Sequence, residues 1–255
     1  MRALDLEKAA AVAQAAADLA RAETLPRFRS VAVETKADGS PVTEADRAAE
    51  RAIRDHLQRE FPDFSILGEE FGAQRKRAGA EWIIDPIDGT IGFSRGLPLY
   101  STLIALALDG EPVVGLIDLP ALDERYVGWR GGGCWRNGKP TRVSAETDLR
   151  RAIISHGDPF CFDERGERPA FERMAREIPM LRGYTDAFGY AQVLGGGIGA
   201  MVDMDLKIWD VAAIQVLAPE AGGRCVTLPE RDGKVGIVIG NAALVEQLLA
   251  YLSHV

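Results

Sequence analysis

Trp82-Ile83-Ile84-Asp85-Pro86-Ile87-Asp88-Gly89-Thr90 is the stretch of sequence that decides the fold, because an apolar run ends there in closely spaced acids. The apolar residues predict a buried β-strand that ends at Asp85. Pro86 and Gly89 are strong turn residues, so we expect a sharp turn directly after the strand. Such a turn lets Asp85 and Asp88 converge on one point.

The atoms around this turn suit a metal ion and a phosphate group. The turn leaves the Ile87 carbonyl free to join the two carboxylates as an oxygen ligand. Hard oxygen donors with no His or Cys nearby favour Mg²⁺ or Mn²⁺ over zinc. If a helix begins directly after the turn, the backbone N–H groups of Gly89 and Thr90 can bind a phosphate oxygen.

Two further acids follow apolar segments in the same way. Glu69 comes directly after Ser65-Ile66-Leu67-Gly68, and Asp210 opens a predicted helix after Trp209. Taken singly, an Asp at a strand end is typically a cap or turn residue, and Glu70 is equally well explained as a solvated neighbour. Three or four carboxylates brought together without metal would repel one another. With two or three Mg²⁺ ions they form a two-metal hydrolytic site.

Before this stretch, the chain predicts two helices joined by a loop. Residues 4–23 are Ala-rich with apolar positions at helical spacing, and a second helix is expected from Thr43 to about residue 60. Thr43 followed by Asp46 is typical of a helix N-cap with an acid in the first turn. The segment 31–42 indicates a mobile loop, because it holds Lys36, Asp38, Gly39, Ser40 and Pro41.

After the stretch, the chain predicts a meander followed by alternating strands and helices. Residues 102–108 and 112–119 flank Asp109-Gly110, which predicts an antiparallel hairpin. The remaining predicted elements are strands 124–129, 133–136 and 151–155, helices 163–177 and 186–194, strand 199–202, helix 209–221, strands 224–228 and 235–239, and helix 242–252. We therefore expect a layered α/β protein. Its meander-rich part, 1–145, would hold most metal ligands, and a smaller α/β part, 146–255, would supply Asp210 and substrate contacts.

The composition is that of a globular protein and excludes several classes of function. Of 255 residues, 47% are hydrophobic and 27% are charged, so most of the chain is not expected to be disordered. The net charge of −8 does not fit a duplex nucleic-acid binder, so we expect no nucleic-acid partner. Charged residues within positions 1–20 exclude a signal peptide or membrane span there, so we expect a cytoplasmic protein without a membrane partner.

Four motifs together resemble the inositol monophosphatase family, and the similarity extends over almost the whole chain. The motifs are Gly68-Glu69-Glu70, Asp85-Pro86-Ile87-Asp88-Gly89-Thr90, Trp209-Asp210-Val211-Ala212-Ala213 and Glu220-Ala221-Gly222-Gly223. The resemblance implies an α/β (α+β) fold, namely a layered αβαβα sandwich of the inositol monophosphatase and fructose-1,6-bisphosphatase type. It also implies a Mg²⁺-dependent, lithium-sensitive phosphomonoesterase that forms a homodimer and acts on a small-molecule phosphate monoester.

Carried over position by position, the resemblance implies a set of site residues. Two or three Mg²⁺ ions, with Mn²⁺ as an alternative, would be held by Glu69, Asp85, Asp88, Asp210 and the Ile87 carbonyl. Lys36 would lie on the mobile loop near a third metal ion. The implied catalytic group consists of Asp46, Thr90 and Glu69. Thr90 and Asp46, which matches the family's T-x-x-D pattern, would orient and deprotonate the attacking water.

Within the family, three segments resemble the histidinol-phosphatase branch. The segments 93–98 and 101–106 are similar to F-x-R-G-x-P and G-T-L-I-A-L, and the segment 185–190 is similar to G-D-x-Y-G-Y. Inositol-specific members usually carry a small residue at the position of Asp186. A carboxylate there can pair with the ammonium group or imidazole of histidinol phosphate, whereas inositol phosphate offers only hydroxyls. The resemblance therefore implies hydrolysis of L-histidinol phosphate to L-histidinol and phosphate, a step of histidine biosynthesis.

The remaining substrate contacts are less clearly defined by the pattern. The candidates for phosphate or substrate binding are Asp88, Gly89, Thr90, Arg182, Thr185, Asp186 and Asp203. Asp203 matches a position where the family contacts a substrate hydroxyl or amine. Arg182 either holds substrate, stabilises a neighbouring subunit or is a plain surface residue, and Asp186 has the alternative of a helix N-cap. At Ile91-Gly92 the sequence departs from the Thr, Lys or Ser that is more usual in the family. This departure bears on the contacts to the phosphate and not on the metal site.

Two other functions stay open at this level. The same chemistry would suit an inositol-1-monophosphatase or a broad sugar or nucleotide phosphatase. A non-catalytic, metal-binding regulator on the same scaffold is the alternative of another class. The retained Asp46, Thr90 and Asp210 speak against such a regulator, because it has no physical reason to keep them all.

Overall fold

Five alternating layers of helix and sheet are stacked in the computed structural model, which describes residues 4–36, 39, 41–76 and 79–252. Two helices cover one face of an eight-stranded sheet, and two more lie between that sheet and a five-stranded sheet. Three helices cover the outer face of the smaller sheet. The αβαβα sandwich implied by the resemblance is confirmed.

The first layer consists of α1 (Leu6–Thr24) and α2 (Glu44–Glu60). Asp5 caps α1, because its side chain accepts a hydrogen bond from the Lys8 N–H at 3.0 Å. A capping box between Thr43 and Asp46 begins α2, which confirms the predicted start of that helix. Alanines form much of the buried face of α1, so the two helices pack closely together and against the large sheet.

The segment between these helices is more regular than expected where it is described. β1 (Glu34–Thr35) pairs antiparallel with β2 (Pro41–Val42), in place of the wholly irregular loop that the composition predicted. Lys36 directly follows β1. Asp38 and Ser40, which contributed to the loop prediction, lie outside the described residues.

The large sheet carries the predicted meander. Its spatial order is β10 (Lys139–Pro140), β9 (Gly133–Arg136), β8 (Glu124–Trp129), β7 (Glu111–Leu119), β6 (Ser101–Leu108), β5 (Ala80–Asp88), β3 (Ser65–Gly68) and β4 (Gly72–Gln74). Asp109 and Gly110 have φ values of 49° and 86°, as a tight hairpin turn requires, so the predicted hairpin is confirmed.

The end of β5 differs from the prediction in a way that shapes the site. The strand does not end at Asp85, as expected, but continues to pair with β6 as far as Asp88. A register shift between these two acids accommodates one extra residue of β5, at a place where Pro86 cannot donate to the ladder. The turn comes at Gly89, whose φ of 84° lies in the left-handed region, and a short helix α3 (Thr90–Ser94) follows.

The smaller sheet has the order β12 (Leu181–Arg182), β11 (Ile154–His156), β13 (Ala200–Leu206), β15 (Val235–Gly240) and β14 (Arg224–Thr227). Its outer face is covered by α4 (Pro159–Glu164), α5 (Arg168–Glu177) and α8 (Ala242–Leu249). The single helix predicted at 163–177 is therefore wrong. The chain forms two helices because Gly166, at a φ of 72°, interrupts the helical backbone.

The middle layer, α6 (Asp186–Leu194) and α7 (Ile208–Glu220), joins the two sheets. Gly115 on β7 lets α7 approach closely, because a Cβ at that position would lie 2.4 Å from the carbonyl oxygen of Ala213. This close packing brings the first turn of α7 to the end of β5. Among the described residues, no helix is both long enough and apolar enough to cross a lipid bilayer.

Candidate active site

Three carboxylates from two distant segments meet where β5 ends. Asp85 and Asp88 come from β5, and Asp210 comes from the first turn of α7. One oxygen atom from each lies within 4.8 Å of the others, so a single metal ion could bind all three. The convergence of Asp85 and Asp88 therefore occurs through the bulged strand end rather than through the predicted sharp turn.

Hydrogen bonds from the backbone hold two of these carboxylates in place. Asp85 Oδ1 accepts the N–H of Ile87 at 3.1 Å. Asp210 Oδ2 accepts the N–H of Lys207 at 2.7 Å, which also caps the start of α7. Both side chains are therefore oriented by their own segments before any ligand arrives.

Asp88 is held by two other elements. Its Oδ2 accepts the hydroxyl of Ser101 on β6 at 3.0 Å and the N–H of Ala187 on α6 at 2.7 Å. Within the described part of the chain, both hydrogen bonds fall on the same oxygen atom. This orients the carboxylate and leaves Oδ1 to a ligand.

Without a cation, the carboxylates of the cluster repel one another and are poorly solvated, so their protonated forms are favoured. Burial, and then repulsion from Glu69, raises the pKa of Asp210 to about 7. Burial and neighbouring carboxylates also raise the pKa values of Asp85 and Asp88 well above the usual value. A divalent cation would relieve this repulsion, and a donor set made only of carboxylate oxygens matches the preference of Mg²⁺ and Mn²⁺. The residues present therefore fit such an ion.

Glu69 and Glu70 lie beside the cluster on the turn between β3 and β4. Glu69 is close enough to raise the pKa of Asp85, but among the described residues the 4.8 Å group comprises only the three aspartates. Lys36 Nζ lies 2.8 Å from Glu69 Oε1 and 2.7 Å from Glu70 Oε1. Burial raises the pKa of Glu70 to about 7. Glu70 is therefore not simply a solvated neighbour, as the sequence left open.

Thr90 and Asp46 form a buried pair at the edge of the cluster. Thr90 Oγ1 lies 3.1 Å from Asp46 Oδ1 and 3.0 Å from the carbonyl oxygen of Ile87. A hydroxyl has one proton, so it donates to one of these acceptors at a time. The other carboxylate oxygen of Asp46 accepts the N–H and hydroxyl of Thr43, at 2.8 and 2.5 Å.

The three aspartates, Glu69 and Thr90 line a cavity of about 870 Å³. The lining includes the acidic cluster with Gly89 and Thr90. Asp186 lines the cavity next to Gly89, since a Cβ at Gly89 would lie 3.3 Å from Asp186 Oδ2. The second half of the chain also contributes the charged residues Asp158, Asp205, Lys207 and Lys234 to the lining. The cavity thus combines a candidate metal site with room for a small polar molecule.

Both the sequence and the fold are similar to those of known phosphatases. A model of the inositol monophosphatase family matches residues 4–254. The chain belongs to the inositol monophosphatase family. It is 37% identical to a histidinol-phosphatase of Chlorobaculum parvum, over 98% of this chain and 97% of that protein. It is 35% identical to an inositol-1-monophosphatase of Rhizobium meliloti, over 93% and 91% of the two chains.

The fold comparison agrees with the sequence comparison. The structure of an inositol monophosphatase from Zymomonas mobilis superimposes with a TM-score of 0.85 at 32% identity, covering 97% of this chain and 98% of that one. As a member of the inositol monophosphatase family, the protein is a phosphatase that hydrolyses phosphoric monoesters. Its acidic cluster could hold the divalent metal that enzymes of this family use.

The phosphatase brings some predicted substrate residues to the cavity but not others. Gly89, Thr185 and Asp186 line the cavity. Arg182 and Asp203, which the structure also describes, do not line it. Arg182 is exposed, and its guanidinium bonds the adjacent Leu181 carbonyl at 2.7 Å. Asp203 is buried and accepts the hydroxyl of Tyr190 at 2.9 Å. Their roles as substrate contacts stay predictions.

Asp186 occupies an unusual backbone position in the phosphatase. It is the first residue of α6 after the N-cap Thr185, so it is not itself the N-cap that the sequence allowed as an alternative. Its φ is 58°, a left-handed value that Asp and Asn adopt more readily than most residues. The residue is exposed on the cavity wall, and partial desolvation of its carboxyl group, together with repulsion from Asp158, raises the pKa of that group.

Sequence reasoning missed several residues that shape the site. Ser101 and Ala187 orient Asp88, Asp158 faces the cavity, and Glu50 holds the turn that carries Glu69. Ser101 gave one weak signal, since it and Thr102 are the polar residues at the start of a strand that is apolar from Leu103 onward. The others act through backbone groups or across long sequence separations, for which no local pattern exists.

Proposed function

We propose that this phosphatase hydrolyses L-histidinol phosphate to L-histidinol and phosphate with Mg²⁺ as its cofactor. The observation that carries the substrate proposal is Asp186, whose carboxylate lines the same cavity as the acidic cluster. A single pocket thereby offers a place for the phosphate and a negative charge for a cationic leaving group.

The proposed metal ligands are the carboxylates of the cluster with Glu69 and the Ile87 carbonyl. A divalent cation held there supplies positive charge that binds a phosphate dianion and increases the acidity of water. The spacing of Asp85, Asp88 and Asp210 and the raised pKa values of these groups support this assignment. Two or three Mg²⁺ ions are proposed, and Mn²⁺ has the same preference for oxygen ligands.

Thr90 and Asp46 are proposed to handle the proton of the attacking water. When the Thr90 hydroxyl donates its hydrogen bond to Asp46, the Thr90 oxygen can accept a hydrogen bond from that water. As the water oxygen attacks phosphorus in line with the leaving oxygen, its proton moves toward this pair. Histidinol leaves when its oxygen takes a proton from solvent.

The phosphate is proposed to lie against the start of α3. Gly89 adopts a left-handed conformation, Thr90 begins the helix, and both residues line the cavity together with the cluster. Backbone N–H groups at such a position bind anions without a charged side chain. Such backbone binding needs no polar side chain at Ile91-Gly92, where the sequence departs from the family pattern.

Asp186 is proposed to bind the histidinol part of the substrate. Histidinol carries an ammonium group and an imidazole, and a carboxylate forms charge-assisted hydrogen bonds with either when it is cationic. Asp158 lies close enough to repel Asp186 electrostatically, which strengthens the preference of this wall for a cation. The similarity to a histidinol-phosphatase along nearly both chain lengths supports the same substrate.

A second candidate is an inositol-1-monophosphatase or a broader sugar or nucleotide phosphatase. The observation in its favour is the 35% identity to an inositol-1-monophosphatase. The deciding experiment compares kcat/KM for histidinol phosphate and inositol 1-phosphate, with Mg²⁺ and with EDTA. We expect a clear preference for histidinol phosphate that depends on Mg²⁺. A much higher kcat/KM for inositol 1-phosphate would overturn the substrate proposal.

The proposal also includes a homodimer. The resemblance to the family supports this oligomeric state. Light scattering coupled to size-exclusion chromatography would measure it directly, with a mass near twice 27.6 kDa expected.

A further inference from the structure

Glu50 is a fully buried acid on α2 that contacts the turn carrying Glu69. Its carboxylate accepts the backbone N–H groups of Glu70 at 2.7 Å and Phe71 at 3.3 Å. It also accepts the Nε–H of Arg54, one helical turn later, at 2.7 Å. The carboxylate is therefore bonded to consecutive backbone groups of the turn.

Gly68 makes this contact possible. A Cβ at residue 68 would lie 2.0 Å from Glu50 Oε1, so the carboxylate occupies the space that any side chain there would need. Glu69 is thus flanked by a residue packed against Glu50 and by one hydrogen-bonded to it. The N–H of Glu69 itself donates to the Ile84 carbonyl of β5 at 3.2 Å.

Burying an unpaired carboxylate costs desolvation free energy, and even a buried ion pair often adds little to the free energy of unfolding. Arg54 supplies the pairing and also hydrogen-bonds the Gly72 carbonyl at the far end of the turn. The Glu50–Arg54 pair therefore holds the backbone of the turn between Gly68 and Gly72 by hydrogen bonds. The Glu69 side chain on that turn lines the cavity. This arrangement is better suited to holding a backbone in one position than to adding stability.

We propose that Glu50 is a positioning residue that fixes the orientation of Glu69 toward the metal cluster. Glu50 does not line the cavity and acts through the backbone of the turn. Because it requires Glu69 to be a metal ligand, this role rests on the proposed function. Gln at this position keeps the size but places an amide against Arg54, so it weakens the Glu50–Arg54 pair.

The test measures Mn²⁺ affinity of the full-length protein by titration calorimetry, together with kcat, KM and melting temperature. Outer-shell partners of a metal typically contribute about 10–100-fold in affinity or activity. We expect Glu50→Gln to weaken Mn²⁺ binding by about tenfold or more and to lower kcat, with a smaller change in KM. If Glu50→Gln does not fold, Glu50→Asp keeps the charge but shortens the reach, and it should act in the same direction.

Asp118→Asn is the matched control. Asp118 is an equally buried carboxylate paired with Arg21 and Arg125, and it does not line the cavity. This variant should lose stability but keep its Mn²⁺ affinity within about twofold. Equal weakening by both variants would overturn the positioning role, because the effect would then follow from general destabilisation.

Glu69→Gln, measured alongside, separates this inference from the proposed function. If Glu69→Gln weakens Mn²⁺ binding and neither Glu50 variant does, the positioning role is wrong and the ligand assignment stands. If Glu69→Gln leaves Mn²⁺ affinity unchanged, the assignment of Glu69 as a ligand fails, and the role of Glu50 fails with it.

Discussion

Thr90 Oγ1 lies 3.1 Å from Asp46 Oδ1, although the two residues are 44 positions apart. Asp46 stands in the first turn of α2, and Thr90 begins α3 directly after β5. Both side chains are buried, and Thr43 holds the second oxygen of Asp46. The pair is therefore preorganised at the edge of the acidic cluster, where it can orient a water molecule without rearrangement.

Replacing Thr90 with Val tests this pair directly. The variant keeps the branched shape but removes the hydroxyl, so kcat should fall by about 10²-fold or more, as loss of a proton-transfer group typically does. Thr90→Ser is the matched control, because it retains the hydroxyl, and most activity should remain. Steady-state kinetics at saturating Mg²⁺ measures both. Equal activity in Thr90→Val and the wild type would remove Thr90 from the mechanism.

Asp88→Asn should separate activity from stability. Loss of a direct ligand should reduce kcat by more than the roughly 10–100-fold typical of outer-shell partners. In EDTA the same variant should be more stable, because it removes one of the buried like charges that raise each other's pKa. Relief of about 1 kcal/mol of repulsion would raise the melting temperature by roughly 2–4 °C. A variant with most of its activity would contradict the ligand assignment.

The metal-free protein should lose stability as pH rises. The pKa of Asp210 is about 7 in the folded chain against an ordinary value of 3.8, so the folded state binds the proton more tightly. Its contribution to stability is therefore complete below about pH 4 and is lost as pH rises through 7. Asp203, with a pKa also raised to about 7 by burial, acts in the same direction.

Melting temperatures measured in EDTA between pH 5 and pH 8 check this expectation. The decrease should be smaller in Asp210→Asn, which no longer titrates at that position. It should also be smaller with Mn²⁺ present, because the ion binds the ionised carboxylates. Stability that increases steadily toward pH 8 in EDTA would show that the buried acids do not carry raised pKa values.

Asp186→Asn is the sharpest test of substrate choice. Asn tolerates the left-handed φ of 58° at this position, so the variant removes charge without straining the backbone. Hydrogen bonds to charged groups contribute about 1.5–3 kcal/mol, which predicts a loss of roughly 10–100-fold in kcat/KM for histidinol phosphate. The value for inositol 1-phosphate should change little. Equal losses on both substrates would exclude Asp186 from recognition of the cation.

The sequence predicted those features that depend on local chemistry. Asp109-Gly110 specifies a hairpin turn, and Thr43 with Asp46 specifies a helix start, because each needs only residues that are neighbours in the chain. The acids after apolar runs were found for the same reason. Local patterns also predicted that Asp85 and Asp88 would converge, although the bulged end of β5 was not foreseen.

The contacts that orient the site were not predictable, because they join distant segments. Asp88 receives the N–H of Ala187, 99 positions away, and any residue other than proline could supply that donor. Glu50 reaches Glu70 across 20 positions through a backbone group as well. Such contacts depend on how layers pack, and the sequence pattern of a single element does not encode them.

The most direct test of the metal site is the position of Mn²⁺ in crystals soaked with that ion. We expect an anomalous difference peak bounded by carboxylate oxygens of Asp85, Asp88 and Asp210, at the roughly 2.0–2.6 Å distances of oxygen ligands. Crystals with no anomalous peak among these three side chains, at a Mn²⁺ concentration that supports activity in solution, would contradict it.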